Sequence, residues 1–393
     1  MLASRQTPRS RSSLSDTARP ILASLLLVLL AVNALLFLFT CFPSLTPAVP
    51  AVAAARPSGP TFHTYFIAAD EVMWNYAPHG RNLAGLPHAE LEGPASGTIY
   101  RKAIYREYTD ATFTTLKPPP LQWEHLGILG PLIRAEVGDT IRVVFKNNTK
   151  LFCSMHPHGL EYDKNSEGAV YSDGIPPGEK KGDRVAPGQT YTYIWNVPER
   201  AGPSHMDGSS ILWVYHSHFV ESRDMNAGLM GPIIITAKGA SKADGTPHDV
   251  DREFIVAFAV FDETSSWYFE ANTMGRRAYT PGLKFSDPAF RERYTLYTMN
   301  GLIEGNMPLM TMKKGERVRW YLFSNSNEDD VHTPHWHGQT VISHLMRMDM
   351  VSLEPMTMLT ADMIPDKVGT WLFHCHVNEH LDNGMVALYR VEP

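Results

Sequence analysis

Two stretches of this chain follow one plan, and that repetition limits its fold more than any other feature. In the first half Gly130-Pro131-Leu132 leads to Gly138-Asp139, to the alternating run Ile141-Arg142-Val143-Val144-Phe145, and to His156-Pro157-His158-Gly159. In the second, Met307-Pro308-Leu309 leads to Gly315-Glu316, to Val318-Arg319-Trp320-Tyr321-Leu322, and to His335-Trp336-His337-Gly338. The halves also end alike. Trp213-Val214-Tyr215-His216-Ser217-His218 parallels Trp371-Leu372-Phe373-His374-Cys375-His376, and Gly228-Leu229 parallels Gly384-Met385. Alternation with β-branched and aromatic enrichment reads as strands. The expectation is an all-β fold of two tandem domains over 60–240 and 250–393. The polar, turn-rich stretch Lys238 to Asp251 would be the linker.

Residues 1–55 stand apart. Arg5, Arg9, Arg11 and Arg19 precede an almost wholly apolar run from Ile21 to Phe42, and Ala48 to Ala55 offers small-residue cleavage sites. This reads as an export signal, although the run is also long enough for a retained N-terminal membrane anchor. An exported protein, periplasmic or extracellular, follows in either case. With a formal charge of -6, nucleic acid is not the expected partner. Three Cys in 393 residues exclude a disulfide-built scaffold. Cys41 lies in the export segment, and Cys153 has no predicted partner.

Ten of the 17 His fall into four clusters: His156/His158, His216/His218, His332/His335/His337 and His374/His376/His380. On a strand, His374 and His376 point to one face and Cys375 to the other. One thiolate, two imidazoles and a weak thioether form the ligand set of a blue-copper electron-transfer site. Cys375, His380 and Met385 can supply three of these, and His332 is the candidate for the second imidazole. The opposite face gathers eight imidazoles, enough for three copper ions with positions left for oxygen. Structural zinc would use four ligands in one closed site, which this set does not resemble. His63, His79, His88, His125, His205, His248 and His344 are left as surface or hydrogen-bonding residues.

These motifs resemble the two-domain multicopper oxidases of the small-laccase type, with cupredoxin domains similar to those of ceruloplasmin and hephaestin. His374-Cys375-His376 with His380 and Met385 resembles the family's last copper motif. His332-Thr333-Pro334-His335-Trp336-His337-Gly338 resembles its third, and His156-Pro157-His158-Gly159 and His216-Ser217-His218 its first two. The likeness spans about residues 60 to 393. It implies a type 1 copper at His332, Cys375, His380 and Met385, and a type 2 copper at His156 and His335. It places a type 3 pair at His158, His216, His218, His337, His374 and His376. Four coppers per chain follow. Ser217 stands in the cysteine position of the first domain, and Glu221 or Ser222 where the following His would be, so only the second domain should carry a type 1 copper.

The resemblance also implies four one-electron oxidations of a small reductant coupled to reduction of dioxygen to two waters. It implies a homotrimer whose three-copper sites lie between subunits. Tyr162 and Glu167, four and nine residues past His158, are candidates for proton or electron supply. Glu379, directly before His380, and the acidic run Glu328 to Asp330 suit a hard cation such as Fe²⁺ or Mn²⁺ at the electron-uptake site; Glu379 could equally take the proton of a phenol. Met346, Met348, Met350, Met356, Met358 and Met363 raise Cu⁺ as a further substrate, although period two over 346–350 also reads as one strand face. A copper nitrite reductase would not need six type 3 His. A non-catalytic copper carrier would not need a Cys between two cluster ligands.

Overall fold

The computed structural model describes residues 61–87, 97–176, 178–273, 288–325 and 330–393. The export or anchor segment, His88, and Glu328 with Asp329 lie outside the described residues. Among the described residues no helix is long and apolar enough to cross a membrane.

Four sheets carry the fold. The first has the order β2-β1-β4-β6, from Ile99–Tyr108, Phe62–Asn75, Thr140–Asn147 and Thr190–Asn196. The second has the order β3-β8-β7-β5, from Ile133–Glu136, Met230–Thr236, Ser210–His216 and His156–Pro157. The third runs β10-β9-β12-β16-β14-β15, from Thr295–Met299, Arg252–Asp262, Val318–Asn325, Met358–Met363, Val341–Ser343 and Met346–Met348. The fourth is β11-β18-β17-β13, from Met310–Lys313, Val386–Glu392, Gly369–Cys375 and Pro334–Trp336. Apart from the added β14–β15 hairpin, the second half repeats the first strand for strand. The repetition includes the parallel pairs β1–β4 and β9–β12, and β3–β8 and β11–β18.

Each half is a β-sandwich over its own core. Ile67, Val143, Phe145, Tyr193, Trp195, Tyr215 and Ile233 fill the first, and Val256, Phe258, Trp320, Phe373 and Tyr389 the second. A third core joins the halves. Ile233 and Ile235 point into the first core and Ile234 into the shared one. Trp320 and Leu322 point into the second core, and Tyr321 and Phe323 into the shared one. Strands β8 and β12 are therefore buried on both faces, which suits the apolar runs Ile233 to Ile235 and Trp320 to Phe323 within them. Burying each such side chain contributes roughly 1.5–3 kcal/mol.

Polar side chains inside the junction are paired, as burial requires, although Glu263 Oε2 has no partner among the described residues. Lys102 Nζ donates to Glu263 Oε1 and to the Asn226 carbonyl, both at 2.6 Å, and Tyr76 donates to Glu263 Oε1 at 2.6 Å. Asn300 donates to the carbonyls of His125 (2.6 Å) and Ile255 (2.9 Å) and accepts from Ala257 N (2.6 Å). The stretch 238–251 is tied down at both ends. Glu136 accepts from Gly239 N and Ser241 N, and Asp249 pairs with the buried Arg319 at 2.9 Å.

Candidate metal centres

Strand β17 sends Phe373 and Cys375 into the second core and turns His374 the other way. The chain then forms the short helix Asn378–Asp382, which returns His380 to the thiol, and Gly384, at φ 96°, redirects it into Met385. Met385 N donates to the His380 carbonyl (2.9 Å) and Cys375 N to the Met385 carbonyl (3.2 Å), closing the loop on itself. His332 enters from the segment before β13, held by a double backbone bond to Leu353.

Three donor atoms meet there. Cys375 Sγ lies 3.4 Å from His380 Nδ1 and 3.8 Å from His332 Nδ1, and the two Nδ1 atoms are 3.1 Å apart. A point equidistant from all three lies about 2 Å from each, the length of a metal–imidazole bond. All three residues and Met385 are buried. Burial alone would push the thiol up. His332, His380 and the Thr333 N–H (3.3 Å) outweigh it and bring Cys375 down to about 6. His380 moves to about 9: burial opposes the rise, and Asp330 and Cys375 drive it. A buried thiolate facing two imidazoles suits a soft or borderline ion, and copper fits that donor set.

The remaining imidazoles form two groups of four on equivalent strand pairs. His156 is opposite His216 in the β5–β7 register, and His335 is opposite His374 in β13–β17. His158 Nε2 lies 3.0 Å from His216 Nε2, and His337 Nε2 3.1 Å from His374 Nε2. The Nδ1 atoms face backbone carbonyls: His156 to Glu167 (2.7 Å), His335 to Asp349 (2.9 Å), His216 to Ser217 (3.1 Å) and His374 to Cys375 (2.8 Å). Those bonds place the proton on Nδ1 and leave Nε2 free to bind a metal. Burial pushes His158 and His374 down to about 4, which keeps them in the neutral ligand form at pH 7. Gly159 and Gly338 follow each motif at φ 73° and 72°. A Cβ there would meet Trp213 at 2.2 Å or Trp371 at 2.7 Å.

The two groups stay apart. The first sits on the second sheet and the other on the fourth, and among the described residues no imidazole of one group contacts one of the other. Both are partly open to solvent, with His337 and His376 exposed.

The first half has a counterpart of the thiolate site, made differently. Ser217 N donates to the Leu229 carbonyl (3.1 Å) and Leu229 N to the Asp224 carbonyl (3.1 Å), repeating the bonds around Cys375, Met385 and His380. Ser154 N donates to Ser217 Oγ (3.0 Å) as Thr333 N does to Cys375 Sγ. Leu229 therefore stands for Met385, and Cys153, before Ser154, for His332. Asp224 takes the place of His380; the sequence count had pointed to Glu221 or Ser222. The Asp224 carboxylate accepts from Ser217 Oγ (2.7 Å), Phe219 N, Val220 N (3.0 Å each) and Trp267 Nε1 (2.7 Å). Glu221 instead reaches the first imidazole group, 3.3 Å from His218 Nε2.

Of the proton-supply candidates, Tyr162 sets its ring edge-on to His156, centroids 5.7 Å apart. Glu167 holds His156 through its backbone. Its carboxylate accepts from Lys164 and Tyr171, both at 2.8 Å. Burial pushes that carboxyl up, but these two bonds leave it below its ordinary value.

Acids surround the outer edge of the thiolate site. Asp330 Oδ1 is 3.1 Å from His380 Nε2. Tyr297 lies against His380, centroids 5.1 Å apart, and donates to Glu292 at 3.3 Å. Burial raises the Glu292 carboxyl, and so do the charges of Glu379 and Asp330, which places the three acids near one another. Glu379 itself is exposed. The sequence reading missed Glu292 and Tyr297. The available signal was only that Glu292 lies five residues before an aromatic on strand β10.

Two sequence models of the multicopper oxidase family match the chain, over residues 126–240 and 283–393. Human ferroxidase HEPHL1 is 41% identical over 345 residues, 85% of this chain and 30% of that protein. Human ceruloplasmin is 40% identical over 342 residues, 83% of this chain and 32% of that protein. The chain thus spans about a third of the length of these curated relatives. A crystal structure described as a multicopper oxidase superposes with TM-score 0.56 at 20% identity, covering 86% of this chain and 92% of that one. A copper nitrite reductase from Nitrosomonas europaea gives 0.55 at 16%, covering 84% and 94%. At these identities the structures speak for the fold alone: tandem cupredoxin sandwiches. With family models matched in both halves and relatives about 40% identical over more than four-fifths of its length, the chain belongs to the multicopper oxidase family.

Proposed function

We propose that the protein couples four one-electron oxidations of a small reductant to the reduction of dioxygen to two waters. Copper would supply the one-electron redox chemistry and the binding of oxygen. One observation carries the reading: His374 Nδ1 meets the carbonyl of Cys375 at 2.8 Å. Two adjacent residues thus link a thiolate donor set to an imidazole group on the opposite face of the same strand. His332, Cys375, His380 and Met385 would hold the type 1 ion. His156 and His335 would hold the type 2 ion. His158, His216, His218, His337, His374 and His376 would hold the type 3 pair, making four ions per chain. Tyr162, against His156, is the nearer candidate for proton or electron supply; Glu167 would act mainly by orienting His156.

The separation of the imidazole groups supports a shared site between chains. Each chain offers one open group of each kind, so a head-to-tail ring completes every site, and a rotation that closes at three gives a homotrimer. Three copies of this chain have about the length of one HEPHL1 or ceruloplasmin relative, of which a single copy covers 30–32%. Light scattering on the copper-loaded protein should give a trimer; an active, fully loaded monomer would refute the assembly.

Oxidation of a metal ion, Fe²⁺ foremost, is favoured over oxidation of phenols by Asp330, Glu292 and Glu379 around His380. These carboxylates suit a hard cation. They would bind the ion and draw it to the edge of His380. Steady-state kinetics with Fe²⁺, Cu⁺, Mn²⁺ and a phenol decide between the substrates. Glu379→Ala should lower the Fe²⁺ rate several-fold and spare the phenol rate. An unchanged Fe²⁺ rate would remove the cation-docking role.

A further inference from the structure

The turn Ile303–Asn306 breaks two local rules at once. Glu304 has φ 57°, a left-handed conformation that favours glycine, and its side chain is buried. Among the described residues its Oε2 has no hydrogen-bond partner. Burial raises its carboxyl toward the neutral form. Such costs persist where the surroundings hold a residue in place, and they concentrate at functional positions.

The surroundings here are the loop that carries Met385. Glu304 N donates to the Gly384 carbonyl (2.8 Å) and Gly305 N to the Val386 carbonyl (3.0 Å), so the turn brackets Met385 from both sides. The Glu304 side chain lies over the α-carbon of Gly384. A Cβ on that glycine would stand 3.1 Å from Glu304 Cγ and 3.2 Å from Oε1. On its other side the turn is held by the first half of the chain. Leu83 N donates to the Glu304 carbonyl (2.8 Å), and Asn306 accepts from His79 N and donates to the Arg81 carbonyl, each at 3.0 Å. At the equivalent place in the first half, the atoms nearest a Cβ on Gly228 belong to the Ala103 carbonyl, Ile104 and Ile128 rather than to an acid.

We propose that Glu304 is a positioning residue for Met385: wedged against Gly384, it fixes how closely the thioether approaches Cys375, His332 and His380. This rests on the type 1 reading of that site. The axial ligand of such a site tunes its reduction potential. Glu304 therefore sets the potential without touching the ion, and the first-half loop 79–83 braces it.

The test uses the full copper-loaded chain with Glu304→Ala, Glu304→Asp and Glu304→Gln, read by visible absorption, the copper hyperfine coupling in electron paramagnetic resonance, and redox titration against a mediator. Glu304→Ala removes the wedge and should change the equilibrium constant for reduction several-fold, with altered hyperfine coupling. Glu304→Asp should move both in the same direction by less, and it carries the test if the alanine variant fails to fold. Glu304→Gln keeps the shape and should retain the wild-type values. Wild-type spectra and potential in Glu304→Asp or Glu304→Ala would overturn the proposal. A copper-loaded wild type without a thiolate-to-copper band would instead overturn the type 1 reading beneath it.

Discussion

Cys375 and His380 face each other as a thiolate and an imidazolium in the metal-free protein, with pKa values near 6 and 9. At pH 7.5 the sulfur has already lost its proton and His380 still holds one. Copper uptake at this site should therefore release about one proton per ion from that pair. Calorimetry in two buffers of different ionisation heat measures it, with Cys375→Ser as the control. Uptake should weaken as pH falls through 6, where the proton returns to sulfur and competes with the ion. The opposed placement of Cys375 and His374 was legible because a strand shows its faces through period two. Asp224 was not. The segment from Ser217 to Leu229 is two residues longer than that from Cys375 to Met385, so counting forward from Ser217 ends on Ser222. Only the backbone bond from Leu229 N identifies the true counterpart. Glu292 and Tyr297 were hidden for a related reason: tertiary packing brings them to His380 from far away in sequence.

At the level of single elements, the same device recurs in both halves. A left-handed glycine closes the His-x-His motif and lets an indole from the facing strand lie against its α-carbon. Gly159→Ala and Gly338→Ala should each destabilise the protein by about 1–3 kcal/mol, from backbone strain plus collision with Trp213 or Trp371. Urea denaturation measures the loss, and stability within experimental error of wild type would show that the indoles can retreat. The β14–β15 hairpin answers the question posed by its methionines. Met348 packs against the second core, whereas Met346 and Met350 are exposed. Period two puts Met346 and Met348 on one strand, with Met350 beyond its end, and that strand leaves the core where the hairpin projects beyond it.

The two halves are bound by a middle core that was not legible in the sequence, where Val318 to Leu322 reads as a strand of one domain. Lys102 and Glu263 cross that junction as a pair fully shut off from water. Burial lowers the first and raises the second, and each holds the other charged. Lys102→Met would strand the carboxylate and should cost roughly 3–5 kcal/mol. The added Glu263→Gln should recover part of it, as a double-mutant cycle by chemical denaturation would show. Halves joined in this way should also melt as one cooperative unit in the metal-free state. Two separated calorimetric transitions would contradict that expectation. The serine–aspartate network of the first half has a physiological corollary. Ser217 and Asp224 satisfy each other, and that interior is finished once the chain has folded. The donors around Cys375 instead converge on one point with no such mutual pairing of serine and aspartate, and an ion there would complete that interior. Under the proposed function, a shortage of copper would therefore leave the Ser217 interior unchanged and act on the Cys375 interior and on the imidazole groups of both halves.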